Sequence, residues 1–207
     1  MKKGDTNIMI DIETLGTKPG SVIVAIGAMA FDPFTSQIGE RFYLDIDAHD
    51  AQKRGLTIDV GTFFFWLGQT EEAKGVLLRT KRVPLDQALH SLTQWLQGQQ
   101  SRCSNSTQWL WANSPDFDLV LLEAAYRTIG LEAPWTHRNR MDLRTLIQLT
   151  GASALKSPLS VQHHALWDAH NQIEVVFDGF RKLGKQAPNV TGFQLTPGEL
   201  PEQGQYE

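Results

Sequence analysis

The sequence predicts an α/β fold: a mixed sheet that opens as a three-strand antiparallel meander and carries helices on its faces. Two observations predict it. Three runs rich in apolar and β-branched residues follow one another before residue 48, with breaks short enough for hairpins. Beyond them the apolar period lengthens from two to that of a helix, and helical stripes enclose one further short strand.

The elements follow in order. Residues 7–13 ("NIMIDIE") read as the first strand, 21–31 ("SVIVAIGAMAF") as the second, and 41–47 ("RFYLDID") as the third. The breaks at Gly16–Gly20 and Pro33–Gln37 supply the turns. "TFFFWLGQTEEAKGVLL" reads as one or two short helices, with Thr70 as an N-cap before Glu71 and Glu72. "PLDQALHSLTQWLQG" places Pro84 in a first turn, an apolar stripe from Leu85 to Leu96, and a stop at Gly98. Residues 107–112 ("TQWLWA") form a buried-strand candidate. Helices are expected over 116–128 and over 142–149, the latter capped by Asp142. The last helix begins near Ala165 with Ala169, Ile173, Val176, Phe177 and Phe180 on its apolar face.

The 207 residues, 41% of them hydrophobic, are expected to form one domain over 1–184 with a polar tail over 185–207. A net charge of −4 argues against bulk electrostatic attachment to nucleic acid, though not against a local basic groove. One cysteine, Cys103, excludes an intrachain disulfide and fits a reducing compartment. No apolar run suits a signal core or a membrane span, so a cytoplasmic protein without a membrane partner is expected. Neither a Cys/His zinc spacing nor a phosphate-binding P-loop is present.

The first strand poses a question of charge. Period two puts Ile8, Ile10 and Ile12 on one face and Met9, Asp11 and Glu13 on the other. Two carboxylates one pleat apart repel, and partial burial strips their hydration. A divalent cation would offset both costs through oxygen ligands; a solvent-exposed strand face is the alternative. Asp116 and Asp118 lie where a strand gives way to a helix, and Asp168 lies in the first turns of the last helix. Each alone also reads as an ordinary helix-start acid.

Taken together, Asp11-Ile12-Glu13-Thr14, then Phe117-Asp118, then His163 five residues before Asp168 resemble the DEDDh group of 3′-5′ exonucleases. That group lies within the proofreading-exonuclease superfamily of ribonuclease H-like fold, and the likeness spans about residues 7–180. "DIETLGTKPGSVIVAIGAMAFD", "WANSPDFD" and "MDLRTL" further resemble a branch found in phages, prophages and some bacteria. The resemblance implies release of nucleoside monophosphates from the 3′ end of single-stranded DNA or RNA, with DNA favoured. It implies two Mg²⁺ or Mn²⁺ ions, the first held by Asp11, Glu13 and Asp168, the second by Asp11, with Asp118 acting mainly through waters. Such a pair activates the attacking water and stabilises the leaving 3′ oxygen. His163 would be the general base, and the adjacent His164 structural or solvent-facing. Asn113 to Asp118 is one residue longer than the N-x-x-F-D form of relatives, so Asp116 is the competing register; Asp118 is preferred because it follows Phe117.

The same resemblance implies that Thr14 and Leu15 contact the terminal nucleotide, a plain turn being the alternative. Trp66, Trp111 and Phe117 are candidates to stack on bases, with core packing preferred for Trp111. Arg138, Arg140 and Arg144 form a basic cluster for phosphates or a solvated face. Association of two copies stays open. The rival functions are a non-catalytic nucleic-acid-binding domain that kept the fold and a metal hydrolase of small nucleotides.

Overall fold

The computed structural model describes residues 1–101, 107–154 and 163–185. Cys103 and nearly all of the expected tail, 186–207, lie outside them. Five strands form one mixed sheet in the order β3-β2-β1-β4-β5. They are β1 (Thr6–Thr14), β2 (Ile23–Asp32), β3 (Gln37–Asp45), β4 (Gln108–Ala112) and β5 (Arg140–Asp142). The first three form the antiparallel meander, and β4 and β5 join in parallel on the other side of β1. The chain therefore has the mixed α/β architecture that its sequence predicts.

Among the described residues seven α-helices accompany the sheet: α1 (Ala48–Lys53), α2 (Val60–Leu67), α3 (Glu71–Leu78), α4 (Leu85–Ser101), α5 (Asp118–Thr128), α6 (Leu143–Thr150) and α7 (Ala165–Lys182). Local chemistry sets several of their ends. Thr70 accepts from the Ala73 amide, and Asp142 accepts from Arg144 and Thr145, as their positions predict. The α4 helix passes through Gly98 to Ser101 rather than stopping there. Its last turn is held from outside, since Gln99 donates to Glu40 and the Leu96 carbonyl accepts from Gln108. The fifth helix starts at Asp118, two residues later than expected.

As the central strand, β1 is covered on both faces. Ile8, Met9 and Ile10 are fully buried, and Ile12 nearly so. The carboxylate face is therefore not a solvent face along its length; it opens only near the carboxyl end of the strand. On that face Asp11 sits opposite Gly27 and Glu13 opposite Ala25, while Gly27 and Ala25 face Tyr43 and Asp45 on β3. The glycine is a requirement of the packing. A Cβ there would lie 2.4 Å from backbone atoms of Ala165 and Leu166. The first turn of α7 thus rests on the sheet beside the two acids.

Candidate active site

β1 runs parallel to β4 and continues to Thr14 past its last pairing at Met9, so its carboxyl end projects where open sheets gather their functional groups. A register shift between Glu13 and Thr14, where β1 passes β2, re-aims the end of the strand. Over that end α7 delivers Asp168 from its first turn, because its start rests on Gly27. Asp11, Glu13 and Asp168 then offer carboxylate oxygens that all lie within 4.8 Å of one another. Gln172, one turn further along α7, donates to Asp11 Oδ1 at 2.7 Å and fixes that carboxylate.

The electrostatics show what this convergence costs. Burial, then the neighbouring Asp118, Glu13 and Asp168, push Asp11 well above the usual carboxylate range. Burial, then Asp168 and Asp118, do the same to Glu13. Burial raises Asp118 to about 7, against the pull of backbone amides, including that of Ile12, and of Arg144. Asp11, Glu13, Asp118 and Asp168 share one cavity of about 640 Å³, whose wall also includes Asp59, Asn113, Arg144 and His163.

The fold separates the two aspartates that the sequence leaves in competition. Asp118 is buried at the start of α5, where its amide donates to the Ser114 carbonyl, and it lines the cavity. Asp116 is exposed and lies outside the cavity wall. The two histidines also part company. His163 lines the cavity in a left-handed turn, φ 56°, with its ring edge-on to Phe65 and Trp66 at 5.2 and 5.7 Å. His164 is buried behind it, stacked on Tyr43 at 4.7 Å. Burial and the nearby Arg79 push it down to about 4, so it is a neutral packing group at pH 7.

Thr14 lines the cavity, its hydroxyl donating to the Gly16 carbonyl. Leu15 does not: its side chain belongs to the core, and its amide and carbonyl are paired with Val22 and Asp59. Trp66 and Trp111 are both 2% exposed, with their indole N–H groups given to the Thr14 carbonyl and to Asn7. Trp111 thus packs in the core, and Trp66, although on the cavity wall, shows little of its ring; half-buried Phe117 and exposed Phe65 also line the cavity. The basic cluster divides too: Arg140 pairs with Glu123, Arg138 lies outside the cavity wall, and Arg144 lines it.

The sequence did not mark Gln172 or Phe65 as site residues, and it named Asn113 only as the start of the spacing to Asp118. Gln172 lies four residues after Asp168, on the same side of α7, which is a readable signal. Phe65 carries none beyond an apolar run.

A family model described as the 3′-5′ exoribonuclease Rv2179c-like domain matches residues 6–178. The chain belongs to the Rv2179c-like 3′-5′ exoribonuclease family. The span that makes this an Rv2179c-like domain runs from the first residue of β1 into α7 and includes every cavity acid described above. A comparison with curated proteins finds no match.

Solved structures share the fold of this Rv2179c-like domain. Escherichia coli exonuclease I in complex with a dT13 oligonucleotide is 16% identical, with a TM-score of 0.59. That match covers 87% of this chain and 42% of the other, so the Rv2179c-like chain spans about two fifths of the length of exonuclease I. Exonuclease X in complex with 5′ overhanging duplex DNA is 14% identical, with a TM-score of 0.53, covering 86% of this chain and 93% of that one. The cell-death related nuclease CRN-4 is 14% identical, with a TM-score of 0.58, covering 87% and 64%. At these identities the likeness is one of ribonuclease H-like exonuclease fold. Among the described residues no helix is long and apolar enough to cross a membrane.

Proposed function

We propose that this chain is a metal-dependent 3′-5′ exonuclease that hydrolyses the terminal phosphodiester of a nucleic acid strand and releases nucleoside monophosphates. The observation that carries the reading is the trio Asp11, Glu13 and Asp168, three oxygen donors within 4.8 Å on the wall of an open cavity.

The donor set fits divalent cations. It is all oxygen, as Mg²⁺ and Mn²⁺ prefer. Burial and mutual repulsion hold Asp11 and Glu13 far above their ordinary range, a penalty that added positive charge would relieve. Asp11, Glu13 and Asp168 would hold one ion and Asp11 a second, with Asp118 one step further out. Bound there, two such ions supply charge relief to the phosphate and ease ionisation of the attacking water.

The chain's own groups do the rest. Gln172 orients Asp11 by donating to its Oδ1. His163, on the cavity wall, accepts the proton of the attacking water at a ring nitrogen. Phe65 and Trp66 hold its ring from the side. Arg144 faces the incoming phosphates, and Phe65 and Phe117 offer ring surface to the terminal bases. Thr14 at the bulged end of β1 lies against the terminal nucleotide.

DNA is the substrate favoured by the phage-like stretches, and exonucleases I and X were solved with DNA. The family description names an exoribonuclease, and that observation favours a second reading in which the strand is RNA. The ribose 2′-hydroxyl is what the two readings turn on. The test uses 5′-labelled single-stranded DNA, duplex DNA and RNA with Mg²⁺, Mn²⁺ or EDTA. A ladder shortening from the 3′ end that vanishes in EDTA is expected. Binding without cleavage, cleavage of small nucleotides alone, or full activity in EDTA would overturn the proposal.

A further inference from the structure

His164 lies outside the cavity wall, yet it is buried at the one place where the backbone must turn to serve the cavity. It is the N-cap residue of α7, and its carbonyl accepts the Asp168 amide at 2.9 Å. Its other neighbour in sequence is His163, held at φ 56°, a conformation that a residue with a Cβ adopts only when its surroundings impose it. His164 has no side-chain capping bond, and its buried Nδ1 has no hydrogen-bond partner. Polar capping therefore does not explain where the ring sits.

What it does have is a ring partner. Tyr43 stacks on it, centroids 4.7 Å apart and planes 23° from parallel. Tyr43 is anchored in turn. Its hydroxyl donates to Asp45 Oδ1 at 2.6 Å and accepts from Arg79 at 2.6 Å. Arg79 reaches Asp45 Oδ2 at 3.3 Å and lies over the Tyr43 ring at 5.2 Å. Tyr43 shares a row of the sheet with Gly27 and Asp11, so the stack stands on the same face as the carboxylates, across the saddle in which α7 starts.

We infer that Tyr43, pinned by Asp45 and Arg79 and stacked on His164, is a positioning residue that holds His163 and the first turn of α7 against the carboxylates. It acts through the backbone of His164, on His163 to one side and Asp168 to the other. This rests on the nuclease reading for its kinetic consequence but not for its structural one.

The experiment measures both. Single-turnover cleavage of a labelled oligonucleotide is compared for wild type, Tyr43→Leu, Tyr43→Phe, His163→Ala and the Tyr43→Leu/His163→Ala double variant. Metal-free wild type and Tyr43→Leu are examined by backbone relaxation. Tyr43→Leu should lower the rate about 10²-fold, approaching the loss of a general base, with KM changed less than about threefold. Tyr43→Phe, which keeps the ring but loses the hydroxyl bonds to Asp45 and Arg79, should fall between wild type and Tyr43→Leu. The double variant should be no slower than His163→Ala, the non-additivity of groups that act as one. The His163 amide order parameter should fall from about 0.85 to below about 0.6 in Tyr43→Leu. Equal fold losses on both backgrounds, or a His163 amide as rigid as in wild type, would overturn the inference. If Tyr43→Leu does not fold, Arg79→Gln, at a side chain 35% exposed, takes both readouts. An inactive wild type would sink the nuclease reading instead, and relaxation alone would then decide the positioning.

Discussion

Replacing Asp118 by asparagine should stabilise the metal-free protein at high pH while disabling it. Burial lifts this carboxyl from 3.8 to about 7, so its ionisation in the folded state is opposed by several kcal/mol. The sign follows from linkage. The folded pKa lies above the unfolded one, so the penalty is absent below about 4, grows as the pH rises, and is complete above about 7. At about 1.4 kcal/mol per pH unit, the rise from 3.8 to about 7 amounts to about 4 kcal/mol. The substituted side chain keeps one acceptor oxygen for the amides of Ile12 and Ser114, and imperfect replacement costs about 1 kcal/mol. A net gain of about 3 kcal/mol in a chain of this size raises Tm by about 6–12 °C. The assay is thermal unfolding in EDTA from pH 4.5 to 8.5. The variant's advantage should be large at pH 8.5, small at pH 4.5, and should reverse when Mn²⁺ is added, since only wild type keeps the full ligand field. Exposed Asp116→Asn should show none of this. An advantage independent of pH, or an asparagine variant less stable at pH 8.5, would refute the reasoning.

Three further outcomes are expected. Asp11→Ala should abolish cleavage and leave the circular dichroism spectrum intact, because Asp11 sits within reach of both Glu13 and Asp168; near-normal turnover by the folded variant would remove it from the centre of the site. His163→Ala should lower kcat by about 10²–10⁴-fold, with a loss that shrinks at high pH where hydroxide needs no base, whereas His164→Phe should keep the shape of the wild-type pH–rate profile. Gly27→Ala should cost about 1–3 kcal/mol by urea unfolding and reduce activity as well, since its Cβ would meet backbone atoms of Ala165 and Leu166 at 2.4 Å and lift α7 from the sheet.

Several features were determined by the sequence alone because they are local. Alternation placed Asp11 and Glu13 on one strand face wherever that strand lay. Thr70 and Asp142 capped helices because a short oxygen side chain reaches amides two or three residues on. The stripe from Ala165 to Phe180 made α7 amphipathic and put Asp168 at its start. Other elements exist only through contacts made elsewhere. The three-residue β5 is a strand because β4 lies beside it, and α1 is tied to the body where Asp50 accepts from the Leu85 amide 35 residues away. The resemblance already preferred Asp118 and His163; the packed chain adds that both line the cavity while Asp116 and His164 lie off its wall. Gln172 meets Asp11 across 161 residues. Gly27 admits α7 and Tyr43 braces it, from two strands that carry no chemical signal of their own. Periodicity and capping act over a few residues and are written in the chain; burial and convergence belong to the assembled sheet and helix, which alone bring distant carboxylates close enough to disturb one another.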